Sequence, residues 1–396
     1  MAVSRKVKAQ MEEGSWIRRM FEIGIALKRE RGERNVFDLS LGNPVMEPPE
    51  EFRRELRRLA DQPIPGMHRY MPNAGYPETR QSVADALRKE TGLPFALNDI
   101  VMTVGAGGAI NVALKALLNP GDEVVAFAPY FVEYGYYADN QGGKLVVAPC
   151  DAGFLPDLAA LEKVITPRTR IVLVNSPNNP TGVVYPASLL RSLGELLARK
   201  EKQLGTEIFL MSDEPYRKVI YDGTPYPHIY PFHTASLVAT SHSKDLALPG
   251  ERIGYLAINP GYAGRAEAID AFTFVNRTLG FVNAPALMQR LVRVLQEVTV
   301  DIEGDKRKRD VLYAGLTAAG YQVVKPQGAF YMFPKSPLPD DVAFADVMQK
   351  HNVLVVPGRG FGSPGYFRIS YCVEDWTIEG AVKGFTAAAK ELGLKR

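Results

Sequence analysis

Short apolar runs alternate with amphipathic segments through the middle of the chain, and this rhythm limits the fold more than any other feature. Each run ends in turn residues and predicts a buried strand, whereas the segments between them predict helices. Strands that alternate with helices form a mostly parallel sheet with helices on both faces. The predicted strands are residues 100–104, 123–127, 144–147, 170–174, 208–211, 237–240 and 253–257.

The length of the chain, 396 residues, exceeds what one hydrophobic core usually organises, so two domains are expected. A helix over 6–31 and a short strand over 36–41 are predicted to lie outside the central sheet. After about residue 285 the pattern predicts a long helix from 286 through 310, strands at 330–333, 353–356 and 367–371, and a last helix over 378–392. We therefore predict an α/β fold with a large domain, residues 46–285, and a small α+β domain built from residues 1–45 and 286–396.

Composition and charge exclude several classes of protein. Apolar residues make up 46% of the chain and charged residues 23%, with a net charge of +3, which is typical of a globular enzyme. Lysine and arginine recur at helical spacing beside acidic residues, which indicates solvated helix faces rather than a nucleic-acid surface. Cys150 and Cys372 form no zinc or disulfide pattern, and no signal peptide or membrane span is evident. We expect a cytoplasmic protein without a metal site.

A glycine-rich turn joins the first strand of the predicted sheet to a helix, in the sequence Val-Met-Thr-Val-Gly-Ala-Gly-Gly-Ala-Ile at 101–110. Such a junction directs free backbone N–H groups and the positive end of a helix dipole at its ligand, which favours a phosphate. Ala106 and Gly107 are the candidate contacts. A dinucleotide site would need a third glycine where Ile110 stands, so the phosphate of another cofactor fits better.

Two polar loops follow later strands of the same sheet. One is Asn-Ser-Pro-Asn-Asn-Pro-Thr-Gly at 175–182, and the other is Met-Ser-Asp-Glu-Pro-Tyr at 211–216. Ligands of open α/β sheets gather outside the carboxyl ends of the strands, so both loops face the expected crevice. Asn179, Asp213 and Tyr216 are the candidate ligand-binding residues.

A lysine stands in a fourth motif, Ser241-His242-Ser243-Lys244, and Arg252 follows it by eight residues. A lysine amine can form an imine with an aldehyde and can then act as general base and acid. Ser241, Ser243 and Arg252 carry the hydroxyl and guanidinium groups that bind phosphate.

These motifs, in this order and over nearly the whole chain, resemble the fold-type I pyridoxal-phosphate aminotransferases of class I/II, the family of aspartate aminotransferase. The resemblance implies pyridoxal 5′-phosphate as cofactor, bound to Lys244 as a Schiff base. It implies that Asp213 holds the pyridine nitrogen protonated, that Asn179 and Tyr216 bind the phenolic oxygen, and that Phe131 stacks on the ring. The phosphate would lie on Ala106, Gly107, Ser241, Ser243 and Arg252.

The resemblance also implies a substrate site and a homodimer. Gly42, in Leu-Gly-Asn-Pro, corresponds to the substrate-side loop, and Arg368, in Phe-Arg-Ile-Ser, to the arginine that binds the α-carboxylate. Tyr70 corresponds to the tyrosine that reaches the phosphate of the neighbouring subunit. Arg277 lies one residue from the position at which the family places a distal-carboxylate arginine supplied by the other subunit, and Arg18 or Arg19 is the alternative for that role.

The expected reaction is transfer of an α-amino group from an L-amino acid to a 2-oxo acid such as 2-oxoglutarate. Aspartate or a similar small or dicarboxylic amino acid is the expected donor. Two alternatives are a pyridoxal-phosphate-dependent C–S β-lyase on the same fold and a non-catalytic regulator that binds the cofactor. A regulator would need an added DNA-binding segment, whereas the motifs here begin at Gly42.

Overall fold

A computed structural model describes residues 2–13 and 16–394. Its helices are α1 Arg5–Glu13, α2 Trp16–Arg31, α3 Glu50–Asp61, α4 Pro77–Thr91, α5 Gly105–Leu117, α6 Glu133–Asn140, α7 Leu158–Val164, α8 Ala187–Leu204, α9 Arg265–Thr278, α10 Ala286–Val292, α11 Ile302–Ala318, α12 Asp341–Lys350 and α13 Asp375–Glu391. Among these residues, no helix is long and apolar enough to cross a bilayer.

The strands are β1 Phe37–Asp38, β2 Ile100–Thr103, β3 Glu123–Ala128, β4 Lys144–Pro149, β5 Thr169–Asn175, β6 Phe209–Asp213, β7 Ser236–Ser241, β8 Gly254–Ile258, β9 Tyr331–Met332, β10 Val353–Leu354, β11 Val356–Pro357 and β12 Phe367–Ser370. Seven of them form the central sheet in the order β2-β8-β7-β6-β5-β3-β4. Only β8 runs antiparallel to its neighbours within this sheet. The predicted α/β fold with a mostly parallel sheet is confirmed.

The two faces of the central sheet are buried in separate cores because successive strand residues point to opposite sides. In β5, Val172 and Val174 lie in one core while Ile171 and Leu173 lie in the other. Helices therefore cover both faces, and the middle of each central strand is apolar on both sides.

The last part of the chain forms a smaller α+β unit around a third core. Its antiparallel sheet has the order β11-β12-β9, and β1 pairs in parallel with β10 outside the central sheet, as predicted. Helices α11 and α13 pack against each other in this unit. Tyr216 also lies in this third core, so the loop after β6 connects the central sheet to the small unit.

The predicted long helix from 286 through 310 is wrong. The structure has α10 ending at Val292 and α11 beginning at Ile302. The β-branched run Val298-Thr-Val disfavours a helix, and Asp301 caps α11 by accepting a hydrogen bond from the Glu303 N–H at 3.0 Å. Helix α10 contacts α3 and α4 rather than continuing into the small unit.

Candidate active site

A cavity of about 310 Å³ lies at the carboxyl ends of the central strands. Strands β5, β6 and β7 end beside one another there, at Asn175, Asp213 and Ser241. Most of the residues predicted from the sequence line this cavity: Gly42, Ala106, Gly107, Phe131, Asn179, Asp213, Tyr216, Ser241, Ser243, Lys244, Arg252 and Arg368. Positions far apart in the chain are thus brought together because parallel strands present their ends at one edge.

Lys244 lies in the turn that follows β7, with its amine at the centre of these groups. Its Nζ donates a hydrogen bond to the Gly42 carbonyl at 2.8 Å. Burial lowers the pKa of Lys244 to about 8, and the positive charges of Arg368 and Arg252 act in the same direction. An amine with this pKa is partly unprotonated near neutral pH, which suits a nucleophile and a general base.

Asp213 places a buried carboxyl at the end of β6. Its Oδ2 accepts a hydrogen bond from the Tyr134 hydroxyl at 2.6 Å, whereas Oδ1 is buried without a partner. Burial raises the pKa of Asp213 to about 7. A buried carboxyl oxygen without a partner is costly, and a protonated ring nitrogen is a group that would satisfy it.

The opposite end of the cavity offers donors for an anion. Helix α5 begins at Gly105, so the N–H groups of Ala106 and Gly107 belong to its first turn. In the sheet, Gly254 pairs with both Thr103 and Ser241, which brings this helix start beside the serine turn. Ser241 Oγ donates to Ser243 Oγ at 3.0 Å.

Glycine is favoured at the start of α5 because its backbone has a positive φ, and Arg252 packs against it. The backbone of Gly105 has a φ of +69°, and a Cβ there would lie 2.8 Å from Arg252 Nη2. Arg252 itself has a positive φ of 51°. The close approach brings a guanidinium to the helix N-terminus, and the two together suit a phosphate.

Arg368 lies on β12 and forms the third part of the cavity. Its Nη1 donates to Asn179 Oδ1 at 3.2 Å and its Nη2 donates to the Ser40 carbonyl at 2.6 Å. The guanidinium carbon lies 4.7 Å from the ring centroid of Tyr331 and 4.8 Å from that of Phe361. Arg368 is 2% exposed and its Nε has no partner, so a buried cation keeps a free donor for an anionic ligand.

Several aromatic and polar residues of this cavity were not predicted from the sequence. Tyr331 and Tyr137 line it, as does Asn175, and the Tyr331 hydroxyl lies 3.1 Å from that of Tyr216. A Cβ on Gly42 would overlap the Tyr331 hydroxyl, so the glycine is needed for this approach. One feature of the sequence could have indicated Tyr331: a tyrosine within a buried strand usually needs a hydrogen-bond partner for its hydroxyl.

Four predicted residues lie outside the cavity. Tyr70 is 89% exposed, and Arg277 is exposed with its guanidinium carbon 5.4 Å from the ring centroid of Phe274. Arg18 and Arg19 line a second cavity of about 1020 Å³. Phe131 and Ile17 line both cavities, so the second one adjoins the first.

Comparison with known proteins identifies the family. The model of aminotransferase class I and II matches residues 34–385. The chain belongs to the class I and II aminotransferases. It is 35% identical to a probable aspartate/prephenate aminotransferase of Thermus aquaticus, over 92% of this chain and 94% of that protein.

Solved structures of aminotransferases share the fold. An aminotransferase from Eubacterium rectale has a TM-score of 0.96 and 38% identity, and the match covers 99% of both chains. Thermus thermophilus aspartate aminotransferase with maleate has a TM-score of 0.83 and 31% identity, over 98% of this chain and 100% of that one. The protein is a pyridoxal-phosphate-dependent transaminase that acts on an amino acid and a 2-oxo acid.

The residues of the cavity fit this cofactor. The unpartnered Oδ1 of Asp213 suits the pyridine nitrogen, and the start of α5 with Arg252 suits the phosphate. Lys244 supplies an amine for the aldehyde. Phe131 lies at the wall of the cavity, where an aromatic ring can stack on the pyridine.

Proposed function

We propose that this aminotransferase transfers the α-amino group of aspartate, or of a similar small or dicarboxylic amino acid, to a 2-oxo acid such as 2-oxoglutarate. The observation that carries the transaminase reaction is the presence of Lys244 and the fully buried Arg368 in one cavity. One group can move a proton, and the other can bind a carboxylate. An amino acid held by Arg368 would present its Cα near the lysine amine. The relatives named aspartate/prephenate aminotransferase support aspartate as the donor.

Lys244 is the proposed general base and acid. Bound pyridoxal phosphate supplies an aldehyde to which the amino group is transferred and an electron-withdrawing ring. With a pKa of about 8, the Lys244 amine can take a proton at Nζ and return it near neutral pH. The Gly42 carbonyl, 2.8 Å away, orients that amine.

Asp213, Asn179, Tyr216 and Phe131 are the proposed ring-binding residues. The carboxylate of Asp213 would hold a proton on the pyridine nitrogen, and Tyr134 fixes its orientation through the 2.6 Å hydrogen bond. Asn179 and Tyr216 would donate hydrogen bonds to the phenolic oxygen. We propose Ala106, Gly107, Ser241, Ser243 and Arg252 for the phosphate.

Arg368, Asn179 and Gly42 are the proposed substrate-binding residues. The planar guanidinium of Arg368 can bind an α-carboxylate through two parallel hydrogen bonds. The Tyr331 and Phe361 ring centroids lie 4.7 and 4.8 Å from its central carbon. Together these contacts would fix the amino acid in one orientation.

The amino donor is tested by mixing the cofactor-loaded enzyme with each common amino acid, without an acceptor, and following the visible absorption band of the cofactor. The proposal expects aspartate and glutamate to bleach the band fastest. Faster bleaching by alanine, aromatic or branched amino acids would overturn the proposed donor. Pyruvate formed from a cysteine conjugate, with no bleaching by any amino acid, would favour the β-lyase.

Arg277→Ala is expected to lower kcat/KM for aspartate by roughly 10²-fold and to leave kcat/KM for alanine within about twofold. The reason is that only aspartate has a distal carboxylate that needs a second cation. Arg18→Ala and Arg19→Ala test the alternative cations in the same assay. An equal loss for both substrates, or no loss, would exclude Arg277 from this role.

We propose a homodimer in which Tyr70 binds the cofactor phosphate of the partner subunit. The 89% exposure of Tyr70 in the single chain supports the proposal, since a partner would bury this side chain. Exposed Ile64 and Phe274 are further candidates for the interface.

Mixing Tyr70→Ala chains with Lys244→Ala chains is expected to restore about one quarter of wild-type activity. Half of the dimers would then be mixed, and one of the two sites in each would contain both Lys244 and Tyr70. Unmixed variants serve as controls. Exchange of subunits without any recovery of activity would contradict a shared site.

Asp213→Asn is expected to stabilise the cofactor-free protein while lowering kcat of the loaded enzyme by roughly 10²-fold. Burial raises the folded pKa of Asp213 to about 7, above its unfolded value of about 3.9. Between these values the folded state binds more protons, so its stability falls as the pH rises. The gain in unfolding free energy should be absent at about pH 4 and reach at most about 4 kcal/mol above pH 7.

Asp305→Asn is the matched control for this measurement. Asp305 is fully buried outside the cavity, and burial raises its pKa to about 6. Its replacement should also stabilise the protein at high pH, yet leave cofactor binding unchanged. Asp213→Asn with the same pH dependence of stability as the wild type would contradict the prediction.

We propose a division into a small domain, residues 1–45 with 286–396, and a large cofactor-binding domain, residues 46–285. The separate core around β9, β12 and α13 supports it. Limited proteolysis that releases a folded large domain, cut near residues 45 and 285, would test this division.

We propose a cytoplasmic location. Cys150 and Cys372 are free thiols, which persist in a reducing compartment. Fractionation of cells that express the chain would test it, and recovery from an exported fraction would contradict it.

A further inference from the structure

Several charged residues adjoin the proposed site residues in sequence but do not line the cavity. We call Glu214, Arg217, Lys218, His242 and Asp245 the flanking cluster. Each is next to, or two positions from, one of Asp213, Tyr216 and Lys244. Among the described residues that line the cavity, none belongs to this cluster.

Hydrogen bonds and ion pairs join His242, Asp245 and Lys218 of the flanking cluster. The closest pair is His242 Nδ1 and Asp245 Oδ2, at 3.1 Å. Asp245 Oδ2 also lies 3.7 Å from Lys218 Nζ. Arg217 donates to the Tyr255 hydroxyl at 3.1 Å, and the His242 ring centroid lies 6.2 Å from that of Tyr255.

The bond between His242 and Asp245 spans the turn that presents Ser243 and Lys244. Both residues are also held by backbone hydrogen bonds to neighbouring segments. His242 N–H donates to the Ile253 carbonyl at 3.0 Å, and the Asp245 carbonyl accepts from the Val300 N–H at 2.8 Å. The lysine and one phosphate-site serine therefore stand between two anchored, bonded side chains.

Stability alone does not account for these buried polar groups. His242 Nε2, Asp245 Oδ1 and Glu214 Oε1 are buried without hydrogen-bond partners. Unpartnered polar atoms in a protein interior cost free energy, and a buried ion pair is often less stabilising than apolar residues of similar volume. The hydrogen bond between His242 and Asp245 instead fixes the conformation of the turn at Ser243 and Lys244.

We propose that His242 and Asp245 are positioning residues that hold the Lys244 amine at the cofactor aldehyde and the Ser243 hydroxyl at the cofactor phosphate. This inference rests on the proposed role of Lys244. A displacement of about 1 Å at a reacting group can cost about 10²-fold in rate. A hydrogen-bonded pair on either side of Lys244 can therefore affect catalysis without touching the substrate.

The test compares His242→Phe, His242→Asn and Asp245→Ala with the wild-type holoenzyme. The measured quantities are the rate of cofactor release after dilution, the pH midpoint of the visible cofactor band, and kcat and KM. His242→Phe and Asp245→Ala are expected to release cofactor about tenfold faster, shift the midpoint and lower kcat about tenfold, with KM within about twofold. His242→Asn keeps an N–H that can donate to Asp245 and should stay near wild type.

His233→Phe is the matched control, because His233 is also buried beside a carboxylate but lies before β7, at the opposite end of that strand from Lys244. Its Nε2 lies 2.8 Å from the Ile208 carbonyl and 3.6 Å from Glu201 Oε1. This variant is expected to lose thermal stability without changing the cofactor band or its release.

Double substitution decides whether the two residues act as a pair. His242→Phe with Asp245→Ala should release cofactor no faster than the more affected single variant, since both remove the same bond. Multiplying effects, or a His242→Phe enzyme that releases cofactor like the wild type, would overturn the inference. If His242→Phe does not fold, Asp245→Ala and His242→Asn still decide: a release rate for Asp245→Ala equal to wild type overturns it.

The cofactor band distinguishes a failure of the proposed function from a failure of the positioning role. A wild-type protein that binds no pyridoxal phosphate, or that keeps its visible band in Lys244→Ala, would remove the basis of both proposals. A normal wild-type band together with an unaltered His242→Phe enzyme would remove only the positioning role.

Discussion

Lys244→Ala is expected to lower kcat for transamination by about 10⁴-fold or more and to abolish the visible band of the bound cofactor. The substitution removes both the amine that binds the cofactor aldehyde and the group that moves the proton. At the centre of the cavity, the chain offers no second amine among the described lining residues. Absorption spectra and single-turnover kinetics of the purified variant measure both effects.

Lys244→Arg is the matched control for charge. It keeps a cation beside the Gly42 carbonyl but cannot form the covalent bond or lose its proton near neutral pH. We expect it to be nearly as inactive as Lys244→Ala. A variant of either kind that keeps the visible band would place the covalent bond on another lysine.

Arg368→Ala is expected to lower kcat/KM for every amino acid donor by about 10²- to 10³-fold while the cofactor band persists. Loss of a buried, charge-assisted contact to a carboxylate costs about 3–4 kcal/mol. Arg368→Lys should recover only part of the loss because an ammonium cannot make two parallel hydrogen bonds. Steady-state kinetics with two chemically different amino acids measure the effect.

Arg309→Lys is the control for burial of a guanidinium. Arg309 is also fully buried, but it pairs with Asp222 at 2.8 Å and with Asp310 outside the cavity. We expect this variant to lose thermal stability and keep its kcat/KM. A loss of kcat/KM in Arg368→Ala that is confined to one substrate would contradict a role in binding the α-carboxylate.

The central sheet was predictable from the sequence because each strand is a continuous apolar run that ends in turn residues. The core strands Ile100–Thr103 and Phe209–Asp213 are buried at every position, so period and length alone identify them. The break after Val292 was missed because apolar residues continue across it, and the signal was local: a β-branched run followed by the capping Asp301. Boundaries of this kind depend on side-chain hydrogen bonds that hydrophobic periodicity does not report.

The candidate site was predictable where a motif carries its own chemistry, as in Ser-His-Ser-Lys. Tyr331 has no such motif, since its strand reads as ordinary core and its hydroxyl meets Tyr216 only in the folded chain. The partners of Lys244 and Asp213 likewise depend on tertiary contacts: Gly42 for the amine and Tyr134 for the carboxyl. Tyr70 and Arg277 lie outside the cavity of the single chain, because the resemblance places both in the site of a neighbouring subunit.

The two halves of the site differ in when they can form during translation. Arg368 bonds the Ser40 carbonyl across 328 positions of the chain, and β1 pairs with β10 at Phe37 and Val353. The β5, β6 and β7 strand ends, by contrast, are complete once Lys244 has left the ribosome. A nascent chain that stalls ahead of β12 would therefore carry the lysine and its serines but lack the guanidinium proposed to bind the α-carboxylate.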